Sequence, residues 1–94
     1  MQKLQHRVTC IIKPDVNSRH EHITHLGSSV EGALWTRLQV IEMIDSGLHL
    51  FYVNTDGEVS FVGVVRPTDG RVAHLRTYAD GEWKDNLLSL PQCR

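Results

Sequence analysis

The dipeptide Asp-Gly stands at 56–57, 69–70 and 80–81, each time beside a run of β-prone residues. Asp-Gly accepts the positive φ angles of a tight two-residue turn, so a chain punctuated this way folds back on itself. The spacing predicts three strands, Leu48–Val53, Glu58–Arg66 and Arg71–Tyr78, joined as an antiparallel meander. A chain committed to such a meander over its second half must cover at least one sheet face from its first half.

The first half supplies a hairpin and a helix. Val8–Lys13 is rich in β-branched residues and stops at Pro14, and Ile23–Leu26 is a shorter strand ended by Gly27. Between them runs a polar connection that carries histidines. Thr36 is a good N-cap, and Gln39 three residues later completes a capping box, with Trp35 and Val40 placed as a hydrophobic staple. Leu38, Ile41, Ile44 and Leu48 recur at helical spacing, widened by Val40 and Met43, and Gly47 supplies the stop. The helix is expected at about 37–46. The closing Asp85–Pro91 stretch is apolar and short, suited to packing across the other elements.

The expected fold is therefore α+β with the order β-β-α-β-β-β, a small antiparallel sheet carrying one amphipathic helix on one face. Residues 1–94 make one domain. A single helix leaves the other sheet face uncovered, which suits dimerisation or a partner. A core this small leaves little room for an enclosed substrate cavity. The formal net charge of −1 lacks the basic excess of a dedicated DNA-binding module. Protonating all six histidines would carry it to about +5. No apolar run approaches a membrane span or a signal-peptide core, so a cytoplasmic protein without membrane contact is expected. Cys10 and Cys93 have no metal-type spacing. The expectation is a buried thiol at Cys10 and a free one near the C-terminus.

Three histidines, His20, His22 and His25, lie within six residues. His20 and His22 share a face of an extended strand, but His25 falls on the opposite face unless the chain bends. A metal site through all three needs that bend to reach tetrahedral convergence. Arg19, Arg66, Arg71 and Arg76 form a candidate nucleic-acid strip together with the histidines. No aromatic residue alternates with these arginines along a strand, and a solvated face is the plainer reading. His74, Arg76 and Tyr78 share one face of the last long strand, and Trp83 follows a turn as a lid or as an anchor for a partner. Phe51 and Phe61 are expected in the core. Nucleophile elbows, glycine-rich phosphate loops and calcium loops are missing from the sequence, so no cofactor and no enzymatic activity are expected.

Val8-Thr-Cys-Ile, His22-Ile-Thr-His-Leu-Gly27, Trp35, Phe51-Tyr-Val53, Leu75-Arg-Thr77, Ala79-Asp-Gly81 and Asp85-Asn-Leu-Leu-Ser-Leu-Pro91 resemble a family of short bacterial and phage proteins known only as a domain of unknown function. The resemblance spans nearly the whole chain and implies a stand-alone small α+β domain with no assigned catalytic set. The leading expectation is a non-enzymatic module that binds a protein partner or itself, for instance a phage-derived inhibitor or accessory factor. Nucleic-acid binding and metal binding stand as alternatives.

Overall fold

The computed structural model describes residues 3–14, 22–68, 73–79, 81–84 and 87–93. Eight strands and one helix follow in the order β1 (Leu4–Arg7), β2 (Cys10–Ile12), β3 (His25–Ser28), β4 (Ala33–Thr36), α1 (Arg37–Asp45), β5 (His49–Thr55), β6 (Glu58–Val65), β7 (His74–Ala79) and β8 (Glu82–Lys84). The domain is mostly β with a single helix. Its strands form two sheets rather than one: a five-stranded sheet β1-β5-β6-β7-β8 and a three-stranded sheet β2-β3-β4. Among the described residues no helix is long and apolar enough to cross a membrane.

The antiparallel meander β5-β6-β7 is present, and its first turn has the predicted chemistry. Asp56 and Gly57 both hold positive φ, 51° and 90°, between the paired residues Thr55 and Glu58. Asn54 Oδ1 accepts from the Gly57 amide at 3.0 Å and closes the turn. A second two-residue connection joins Ala79 to Glu82 and adds β8 to the edge. The Asp69-Gly70 dipeptide lies outside the described residues.

The expected strand over 8–13 is divided between the two sheets. The Val8 amide bonds to the Tyr52 carbonyl of β5, and the next amide, Thr9, bonds to the Gly27 carbonyl of β3. The chain thus leaves β1, parallel to β5, and enters β2, antiparallel to β3. Helix α1 begins at its capping box: Thr36 Oγ1 accepts from the Gln39 amide at 3.1 Å and Gln39 Oε1 accepts from the Thr36 amide at 2.9 Å. Its inward residues are Val40, Ile41, Met43 and Ile44, while Leu38 is exposed, so the buried stripe is rotated from the one expected. The core between the sheets and the helix holds Val8, Ile11, Ile23, Leu26, Val40, Phe51, Val53, Val62, Leu75 and Leu87. Phe61 is not among them. It stands on the opposite face of β6 from buried Ser60 and Val62.

The C-terminal segment closes the structure along β2. Ile11 donates to the Pro91 carbonyl, Cys93 donates to the Ile11 carbonyl, and the Gln92 side chain bonds both backbone groups of Lys13. Cys10 and Cys93 are joined by a disulfide, not left as the free thiols expected. The bond packs on Gly27, where a Cβ would lie 2.6 Å from each sulfur. Cross-linking residues 83 apart removes much conformational freedom from the unfolded chain. Replacing both cysteines by alanine should lower stability by about 2–4 kcal/mol. In urea unfolding, reductant should shift the wild type by a similar amount and leave the double variant unmoved.

Candidate functional site

Alternation along the strands sorts the five-stranded sheet into two faces. Phe51, Val53, Val62 and Leu75 point to the core, so Tyr52, Phe61, Arg76 and Tyr78 point away from it. Direct cross-strand partners then build a row across all five strands: Arg7 opposite Tyr52, Tyr52 opposite Phe61, Phe61 opposite Tyr78, and Tyr78 opposite Trp83. The rings of Phe61 and Tyr78 are 6.1 Å apart, and those of Tyr78 and Trp83 meet edge to face at 5.8 Å. Tyr78 is 39% exposed and Trp83 46%.

Gly63 makes this arrangement possible. A Cβ there would sit 3.0 Å from Tyr78 Cε1 and 3.2 Å from Trp83 Cη2, so the missing side chain lets both rings settle onto the sheet. Opposite Gly63 stands Arg76, whose Nε donates to the Lys84 carbonyl at 3.4 Å. Among the described residues, the chargeable side chains of this face by strand register are Arg7, Arg76 and His74, and Glu82 borders it, lining one pocket with Tyr78 and Trp83. Trp83, Tyr78 and Arg76 are thus brought together. His74 shares the face by register, opposite Val65, but is 7% exposed, and its Nδ1 has no hydrogen-bond partner among the described residues. Alternation within one strand placed only Tyr78 beside Arg76, whereas the row runs across strands.

The other candidates separate. Arg66 pairs with Asp45 at the end of α1 and does not join Arg76. Arg19, Arg71 and His20 lie outside the described residues. His22 is exposed, and His25 in β3 bonds Thr24 Oγ1 through Nδ1 at 2.9 Å. Among the described residues no three His, Cys, Asp or Glu side chains are grouped to hold a metal ion.

A second arrangement was not foreseen. On the inner face, at the β1 edge, the Glu31 carboxylate contacts His6 Nδ1 at 2.9 and 3.0 Å, and His6 Nε2 lies 2.9 Å from His49 Nδ1. His6 and His49 are diagonal neighbours on the parallel pair β1–β5, since Leu4 faces His49 and His6 faces Phe51. The His6 ring packs against Trp35, His49 and Phe51 at centroid distances of 5.3, 5.1 and 4.8 Å. An ionised carboxylate only accepts, so His6 Nδ1 carries a hydrogen. In the neutral pair His6 Nε2 is then an acceptor, and His49 Nδ1–H donates to it. That leaves His49 Nε2 as a bare lone pair. A single added proton reverses this, because either way of placing it puts a hydrogen on His49 Nε2. The residues come from three distant segments, 6, 31 and 49, so no local pattern announces them.

With both rings neutral, nitrogen-15 ring correlations should show His6 and His49 as Nδ1–H tautomers. Glu31→Ala should release that preference in both rings. An Nε2–H tautomer at His6 in the wild type would refute the assignment.

A family model described as "Protein of unknown function (DUF3892)" matches residues 7–91, a span that holds every residue of the Arg7–Trp83 row. No curated protein and no solved structure matches the chain. With the match running from the end of β1 to Pro91, whose carbonyl accepts from Ile11 of β2, the chain belongs to the DUF3892 family of proteins of unknown function.

Proposed function

We propose that the protein is a non-enzymatic binding module whose outer sheet face takes single-stranded nucleic acid. The row Arg7–Tyr52–Phe61–Tyr78–Trp83 carries this reading. Aromatic side chains on an open sheet offer stacking surfaces to unpaired bases, and every base has a face to stack. Arginines on the same face offer charge to the backbone phosphates. The net charge of −1 does not oppose this, because Arg7 and Arg76 stand in the register of that face while Glu82, at its β8 border, is paired with Lys84.

A protein partner or a second copy is the rival occupant, and electrostatics disfavours the second copy. In a two-fold contact the same patch meets itself. Face to face, Arg7 and Arg76 of one copy would then meet the same arginines of the other.

The test is fluorescence anisotropy of labelled single-stranded DNA and RNA, with duplex DNA and heparin as comparisons. Binding should favour single strands and weaken with salt. Trp83→Ala and Tyr78→Ala should each weaken it roughly 5- to 100-fold, the worth of a stacked base. Arg7→Ala should flatten the salt slope by about one phosphate contact. No binding at low salt would sink the proposal, and so would heparin binding as strong as oligonucleotide binding and insensitive to Trp83→Ala.

A further inference from the structure

The inner side of β5 borders an open groove of about 410 Å³ between α1 and the Trp35 ring. Its wall is apolar at Trp35, Met43 and Leu48, and its polar groups are Gln39, Glu42, Ser46 and His49. Part of their hydrogen-bonding capacity is already used. Ser46 Oγ donates to the Met43 carbonyl at 2.6 Å and accepts from the Leu48 amide at 3.2 Å. Gln39 Oε1 is committed to the capping box. His49 Nδ1 faces His6.

What remains is the Glu42 carboxylate, His49 Nε2, the NH2 of Gln39 and the indole N–H of Trp35. The first is an anion. With both rings neutral the second is a bare acceptor, because Glu31 fixes the His6 tautomer and His6 fixes that of His49. Among the described residues no Lys or Arg lines the groove. An aromatic wall beside a carboxylate and a lone pair is complementary to a compact organic cation carrying N–H donors.

We propose that this groove is a binding site for a primary ammonium group, with Glu42 as counter-ion, His49 Nε2 as hydrogen-bond acceptor and Trp35 as the aromatic wall. Glu31 and His6 are positioning residues that hold His49 as an acceptor. The ammonium belongs either to a small free amine or to a lysine side chain of a partner. The site is independent of the outer sheet face, since it lies on the opposite side of β5.

The experiment is titration of the isotopically labelled protein with butylammonium, butyrate and butanol, following amide, imidazole and Trp35 indole signals. Butylammonium should saturate with a dissociation constant on the order of 1–10 mM, the scale open to five non-hydrogen atoms. Butyrate and butanol should leave the same signals unmoved. Glu42→Gln, an exposed substitution, and His49→Ala should each weaken binding at least fivefold (roughly 1 kcal/mol). Glu31→Ala should weaken it less. Nα-acetyl-lysine methylamide distinguishes the sources: much tighter binding than butylammonium indicates a partner's lysine, and equal binding indicates a small amine. Equal response to butylammonium and butyrate would overturn the proposal in the wild type alone, whatever the folding of the variants. So would unchanged affinity in a folded Glu42→Gln protein.

Discussion

Two consecutive amides decide this architecture. Val8 donates to β5 and Thr9 donates to β3, so the chain passes from one sheet to the other within a single residue. At that step Val8 is 1% exposed, sealed between the sheets. An open sheet edge can seldom be left unpaired at no cost. Here the edge of β5 is taken by β1, and the adjoining residues at once take the edge of β3. The helix has both sheets to pack against only because this crossing brings them together. The C-terminal segment then bonds the backbone of Ile11 and Lys13, and the disulfide fixes β2 from that side.

The placement of chemistry follows from the same crossing. Because β1 runs parallel to β5 with His6 opposite Phe51, His6 falls diagonally beside His49 on the covered face. The β3–β4 connection brings Glu31 to the same edge, within hydrogen-bond reach of His6. Arg7, one residue on, turns to the other face and heads the aromatic row. One short strand thus feeds two sites on opposite sides of a sheet.

Much of this was legible where the signal is local. The capping box at Thr36 and Gln39 is written in three-residue spacing, and the Asp56-Gly57 turn in a dipeptide. The first hairpin, β2 with β3, was readable from its β-branched strand, but its second strand runs His25–Ser28 through Gly27, which was expected to end it: a glycine is needed there because the disulfide packs on it. Other parts were hidden for physical reasons. Leu4–Arg7 has no apolar alternation, because as an edge strand it is mostly exposed. Ala33–Thr36 is four residues long and runs straight into the helix cap. Phe61 was assigned to the core because β6 carries valines on both faces, which erases its parity: Val59 is 44% exposed while Ser60 is buried. The disulfide, the aromatic row and the Glu31–His6–His49 chain join residues far apart in sequence, and composition holds no record of such pairs.

Register is what keeps the two sites apart, and the hairpin turn between β5 and β6 sets it. Side chains alternate with a period of two, so a slip of one residue would exchange every inward and outward position of β5. His49 and Phe51 would move to the outer face, and Tyr52 would enter the core between Leu50 and Asn54. His6 would lose His49, and the aromatic row would lose its second member. Burial of Phe51 and Val53 opposes the slip, since the alternative set is an amide and a phenol that would need buried partners. The turn opposes it again, because Asp56 and Gly57 both sit at positive φ, and a shifted turn would force Thr55 or Glu58 into that region. Two residues that touch neither site therefore help specify both.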